Sequence, residues 1–135
     1  MAGPGIARGA ACLRTVGLTS LYATLAELIG VTPPPDVQGP SLVRLLRTPS
    51  AAWERPALTS YQGHRAVRSE AWTYIRYADN SEELYDASKD PLEWRNLAGR
   101  PELAAVKRAL ARWIPTGIER EKSGAGGDPA IHTSQ

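Results

Sequence analysis

The stretch Arg65-Ala66-Val67-Arg68-Ser69-Glu70-Ala71-Trp72-Thr73-Tyr74-Ile75-Arg76-Tyr77 decides how this chain folds. Two short runs with β-branched and aromatic residues flank the turn-forming triplet Ser69-Glu70-Ala71, the pattern of an antiparallel hairpin. In the second run, alternation places Trp72, Tyr74 and Arg76 on one face and Thr73, Ile75 and Tyr77 on the other. Both faces are substantially apolar. Such a strand suits the middle of a sheet covered on one side by a helix and on the other by another body.

The pattern continues in both directions. Upstream, Ala57-Leu58-Thr59-Ser60-Tyr61-Gln62 has strand character and breaks at Gly63. Downstream, Ala78-Asp79-Asn80-Ser81 is turn chemistry, and Glu82-Glu83-Leu84-Tyr85-Asp86 is a last strand, so an antiparallel meander of about four strands is predicted. The cover follows. Gly99-Arg100-Pro101-Glu102 places a proline and an acid in a first helical turn, and Leu103, Val106, Leu110, Trp113 and Ile114 share one stripe, which predicts a helix over residues 101–114. Lys107, Arg108 and Arg112 are expected toward its electronegative end. Pro115 and Gly117 close it, and the polar, glycine-rich segment 119–135 is expected to be disordered.

Toward the amino end, Leu18, Leu21, Tyr22, Leu25, Leu28 and Ile29 recur at helical spacing and predict a helix over residues 18–29, ended by Gly30 and Pro33-Pro34-Pro35. Ser41 is a candidate N-cap for a short helix near residues 41–47. A proline-rich link separates the first helix from the meander, so its leucine stripe lacks a local partner. An uncovered stripe of that size marks an interface.

Composition sets the outer limits. The 135 residues, 42% apolar and 22% charged, suit one ordinary domain rather than a disordered or collagen-like chain. A net charge of +2 gives no strong steering of polyanions, so no nucleic-acid partner is expected. The single cysteine, Cys12, excludes an intrachain disulfide and cannot alone build a thiolate zinc site. Apolar runs fall short of the about 18 residues a membrane span needs, so no membrane partner is expected, and residues 1–14 lack the apolar core of a secretory signal, so any export address would have to lie elsewhere or not exist.

Several motifs together resemble one family. Val16-Gly17-Leu18-Thr19-Ser20-Leu21-Tyr22-Ala23-Thr24-Leu25 is similar to the helix that sulfatases write V-S-L-x-D-L-Y-P-T-L, and Gln38-Gly39-Pro40-Ser41-Leu42 to their Q-G-x-S-L. Arg65-Ala66-Val67-Arg68-Ser69 resembles R-x-V-R-T, and Trp72 to Tyr77 resembles W-R-Y-I-R-Y. Glu83-Leu84-Tyr85-Asp86, Asp90-Pro91-Leu92-Glu93 and Asn96-Leu97-Ala98 match E-L-Y-D, D-P-x-E and N-L-A in order. The chain thus resembles the C-terminal end of the arylsulfatase superfamily, in its iduronate-2-sulfatase-like or choline-sulfatase-like branch. Gly17, Ser20 and Ala23 depart from the family's serine, aspartate and proline, which weakens the capping of the first helix.

The resemblance implies an α+β chain. Residues 1–50 would be a helical remnant of an α/β, alkaline phosphatase-like catalytic domain, and residues 51–118 the C-terminal subdomain. It implies a sulfuric ester hydrolase acting on a sulfated sugar or small sulfate ester, with formylglycine and a calcium ion in the full-length family. Family members are often exported, periplasmic or lysosomal. The formylglycine motif C/S-x-P-S-R is absent, Cys12 standing in Cys-Leu-Arg-Thr, and so are the D-D and D-H-G metal motifs. The chain alone is therefore expected to be inactive and to need a catalytic domain, supplied in the same gene or as a separate chain.

Within this chain His64, Arg65 and Arg68 are the candidates for substrate contact, because guanidinium forks bind sulfate and carboxylate and the resemblance puts residues 63–65 at the rim of the cleft. The competing expectation is solvated strand residues with an ion pair to an acid such as Glu70. A rival function is a polyanion- or protein-binding module using Arg65, Arg68 and Arg76. Trp72, Tyr74, Tyr77 and Tyr85 are expected to fill the core, and Asp90, Glu93 and Asn96 to cap turns rather than bind metal.

Overall fold

The computed structural model describes residue 3 and residues 5–115. The segment 119–135 expected to be disordered, His132 within it, and residues 116–118 of the expected subdomain lie outside the described residues.

β1 (Ala57–Tyr61), β2 (His64–Arg68), β3 (Trp72–Arg76) and β4 (Glu82–Asp86) form one antiparallel sheet in the order β1-β2-β3-β4, the predicted meander. Val67 lies opposite Tyr74, and Tyr74 opposite Leu84, so alternation collects these three in one row. That row is the floor of the core. Leu110 closes over it, with Trp72, Leu97, Leu103, Val106, Trp113 and Ile114 packed around.

The covering helix is shorter than expected. Pro101–Leu103 form a 3-10 turn, and α3 runs over Ala104–Ala111. The ends are tightened by bonds to the third residue back, Leu103 N–H to Arg100 O and Trp113 N–H to Leu110 O, so the stripe outruns the regular helix while still packing on the sheet. Lys107 does not serve the helix end. It reaches down instead, placing Nζ 2.8 Å from Glu82 Oε2.

α1 (Ser20–Leu28) ends as its sequence predicts. Gly30 takes φ 73°, Val31 N–H bonds Ala26 O at 2.9 Å, and Gly30 N–H bonds Glu27 O at 3.2 Å, the double closure that a left-handed glycine permits. Its amino end has no side-chain cap, consistent with Ser20 in place of an acid. Ser41 is not the N-cap expected of it: that position before α2 (Val43–Arg47) falls to Leu42, which carries no side-chain cap, while Ser41 Oγ accepts the Val43 N–H at 3.2 Å from one residue further out.

What α1 buries is its small face. Ser20, Ala23 and Thr24 lie against residues 39–45, where Thr24 Oγ1 donates to Ser20 O at 2.6 Å and accepts the Leu42 N–H at 2.9 Å. The approach is close enough to demand glycine at position 39. Its φ is 96°, and an added Cβ would sit 2.8 Å from Thr19 O. The leucine face points the other way, leaving Leu18 84%, Leu21 40%, Leu25 53% and Ile29 73% exposed.

Side-chain hydrogen bonds from Trp53 and Arg14 tie this helical half to the sheet half. Trp53 Nε1 donates to Thr15 O at 3.1 Å, and the Arg14 guanidinium binds Glu70 at 3.1 Å and Ala51 O at 3.2 Å. No described helix is long and apolar enough to cross a membrane.

Candidate functional site

His64, Arg65 and Arg68 all stand on β2, and the strand's period of two divides them. His64 and Arg68 point away from α3. Arg65 shares the α3 side with Arg76, which lies directly opposite it on β3.

Gln62 and Gly63 join β1 to β2 with φ 45° and 84°, a two-residue hairpin with both positions left-handed. Glycine suits its place: a Cβ there would come within 3.1 Å of Ala78 Cβ. Glutamine at the other position is strained, a feature that concentrates at sites of function. Just behind the turn, the His64 ring meets Tyr77 edge-on, with centroids 5.4 Å apart, and its Nδ1 accepts the Ala78 N–H at 3.3 Å. With Nδ1 engaged as an acceptor, Nε2 is the ring nitrogen left to donate to whatever approaches.

A carboxylate organises the same face. Tyr85 donates to Glu83 Oε2 at 2.9 Å. Hydrogen bonding to Glu83, followed by burial, raises the Tyr77 phenol above its ordinary value. Burial, followed by the bond to Glu83, pushes Tyr85 up to about 12. Both phenols therefore stay protonated and donating through the neutral range.

Arg68 is already engaged. Its Nη1 lies 2.5 Å from Glu93 Oε1 and 2.9 Å from Thr73 Oγ1, and the Thr73 hydroxyl donates to the same carboxylate at 2.7 Å. The expected partner, Glu70, binds Arg14 instead, because it sits in the β2–β3 turn beside the amino-terminal segment. Glu93 reaches Arg68 through a left-handed backbone, φ 56°, at the end of the turn that Glu93 N–H closes on Asp90 O at 3.1 Å. Arg65 Nη1 bonds the His64 carbonyl at 2.9 Å, while Arg76 lies against the Tyr74 ring and 3.7 Å from Glu82. The three arginines thus form no single cationic stripe.

Asp90, Glu93 and Asn96 do structural work, each with its own partner. Asp90 Oδ2 accepts the Arg95 N–H at 2.8 Å. Asn96 Oδ1 accepts Leu84 N–H at 3.1 Å and Ala98 N–H at 2.8 Å, and Leu97 N–H bonds Leu84 O at 2.8 Å, which covers the open edge of β4. Tyr74 and Tyr85 are buried, as expected of core aromatics. Among the described residues no group of three or more His, Cys, Asp or Glu is placed to hold a metal, and Cys12 is exposed outside any formylglycine motif. A calcium ion and a formylglycine therefore do not fit the residues described.

Two features escaped the sequence reading. One is the set of contacts on Glu82, which accepts from Tyr74 OH and from Lys107, and which no linear motif announces. The other is a cleft of about 660 Å³ at the opposite end of the sheet from the β1–β2 turn, lined in part by Trp72, Trp94, Leu97 and Leu103. Trp94 was the available signal: an indole inside a turn-rich segment has no strand or helix to bury it.

Comparison with known proteins agrees with this architecture. The family model described as N-sulphoglucosamine sulphohydrolase, C-terminal, matches residues 6–119. A sulfatase of Formosa agariphila is 33% identical over 115 residues, covering 84% of this chain and 23% of that protein. The choline-sulfatase of Rhizobium meliloti is 38% identical over 108 residues, covering 75% of this chain and 21% of its own length. The solved structure of a 2-O GAG sulfatase superposes with a TM-score of 0.61 at 32% identity, over 82% of this chain and 27% of that one. The chain spans less than a quarter of the length of these two curated relatives.

Proposed function

This chain belongs to the family of C-terminal sulphohydrolase domains, and from that premise we propose that it is the C-terminal part of a sulfuric ester hydrolase, packed on an α/β catalytic unit and closing one side of its substrate cleft. The observation that carries this reading is the inversion of α1. A helix that buries serine, alanine and threonine in its own chain while presenting Leu21 and Leu25 to solvent, with exposed Leu18 and Ile29 flanking it, is built to be covered by a second body. The catalytic unit is that body, whether it belongs to the same polypeptide or to a separate chain. The calcium ion and the formylglycine of the full-length family would then be held by residues of that unit.

The rim of the cleft is the β1–β2 turn with His64 behind it. His64 Nε2–H would donate to an oxygen of the substrate, and Arg68, braced by Glu93 and Thr73, would set the positive potential nearby. Arg65, on the α3 side, would reach substrate only around the strand end. A sulfated sugar is the favoured substrate class, supported by the likeness to a 2-O GAG sulfatase, and an iduronate-2-sulfatase-like specificity is its sharpest form.

The test is reconstitution. The purified chain is expected to release no sulfate from aryl or uronate sulfates with calcium present. A polypeptide carrying C/S-x-P-S-R is expected to co-purify with it or continue it in one product, and to show turnover. In that assembly His64→Ala is expected to raise KM about tenfold with kcat little changed, the signature of a lost ground-state contact. Calcium-dependent turnover by the chain alone would overturn the reading.

A further inference from the structure

The cleft at the far end of the sheet has the make-up of a ligand site. Its volume of about 660 Å³ lies within the range of about 300–1,000 Å³ typical of small-molecule pockets. Leu97 and Leu103, both packed on the core, give it a fixed apolar floor. Trp72, partly buried, and Trp94, 83% exposed, add indole surface. An indole so exposed inside a cleft is a stacking surface without a partner among the described residues.

The charges divide by mobility. Two of the cleft's three acids are held locally: Asp86 Oδ1 accepts from Ser88 Oγ at 2.5 Å and from Lys89 N–H at 3.2 Å, and Asp90 is tied to the Arg95 backbone, while Glu102 is exposed. Of the cleft's cations, Lys89 pairs with Asp86 Oδ2 at 3.1 Å, and the two arginines are held less. The Arg95 guanidinium makes no ion pair or hydrogen bond among the described residues, and Arg100 is held only by an exposed pair to Glu102 at 3.5 Å, which solvent makes weak. The groups free to turn toward an entering molecule are therefore guanidinium forks beside an indole.

We propose that this cleft binds an acidic pyranose, a sugar ring bearing a carboxylate or sulfate, with the ring on Trp94 and the anionic group on Arg95. A pyranose offers an apolar C–H face for the indole and equatorial oxygens for the fork, which a flat aromatic anion or an extended peptide does not combine. The site is separate from the β1–β2 turn, so it would hold a sugar unit remote from the one whose ester is cleaved.

The experiment uses the full chain and two disaccharides that differ only in having glucuronate or glucose at one unit. Saturable quenching of tryptophan fluorescence by the glucuronate disaccharide is expected, with binding about tenfold weaker in Trp94→Ala, restored in Trp94→Tyr, and reduced in Arg95→Gln to the level of the glucose disaccharide. Both side chains are exposed, so thermal midpoints are expected to stay unchanged. Equal binding of the two disaccharides, binding indifferent to all three variants, or no saturable quenching would each overturn the proposal. In the reconstituted enzyme the same variants are expected to leave hydrolysis of a single-ring sulfate unchanged. Loss of that activity would instead place the cleft at the reaction centre and overturn its separate role, while failure of reconstitution leaves the binding result standing.

Discussion

Glu82 holds the α3 side of the sheet through three partners. Its carboxylate accepts from Lys107 on the helix and from the buried Tyr74 phenol, and Arg76 stands 3.7 Å away. The Lys107 ammonium first, and the Tyr74 hydroxyl second, hold Glu82 below its ordinary value of 4.5. Folding therefore favours the carboxylate. The stability it contributes is complete above the unfolded value and drains away as pH falls through the lower folded one. Acid titration followed by circular dichroism should show a flatter loss of stability in Glu82→Gln than in the parent between about pH 5 and 3. Tyr85 has the opposite sign. Its value is raised to about 12, so its contribution is complete below the unfolded value of 10.0 and is lost as pH climbs toward 12. Tyr85→Phe should unfold less steeply in alkali, with tyrosinate absorbance at 295 nm rising earlier in the parent's unfolded state than in its folded one.

At the scale of elements, the contact between α1 and residues 39–42 is set by closeness rather than by area. Gly39→Ala would press a Cβ to 2.8 Å from Thr19 O at a φ that side chains avoid, and should cost about 2 kcal/mol in urea melts. Thr24→Val keeps the shape but leaves the Leu42 N–H buried without an acceptor, which should cost about 1–3 kcal/mol. If both cost nothing, the small face is not the one that α1 buries. The sheet behaves differently. Its four strands were legible to within a residue because alternation and turn residues are local signals, whereas the helix above it was legible as a stripe but not as a length. Only packing decided where its regular turns stop.

For the whole molecule, the exposed face of α1 gives the clearest expectation. Leu21→Glu with Leu25→Glu alters side chains that contribute little to the chain's own core, so its thermal midpoint should move little, within about ±0.5 kcal/mol per site. Self-association on gel filtration should fall, and capture of a catalytic polypeptide should fail. A large loss of midpoint would show that the leucines are buried within the chain itself, and the proposed docking face would be wrong.

Sequence alone determined the meander, the glycine end of α1 and the family, because each is written in neighbouring residues whose backbone preferences need no distant partner. It also named His64, Arg65 and Arg68. Tertiary structure decided how those three are used: the strand period sends Arg65 to the other face, and the left-handed turn at Glu93 delivers an acid to Arg68 from 25 residues away. It also created the cleft at Trp94, since a cavity is the space between segments that meet only after folding, and no stretch of sequence contains it.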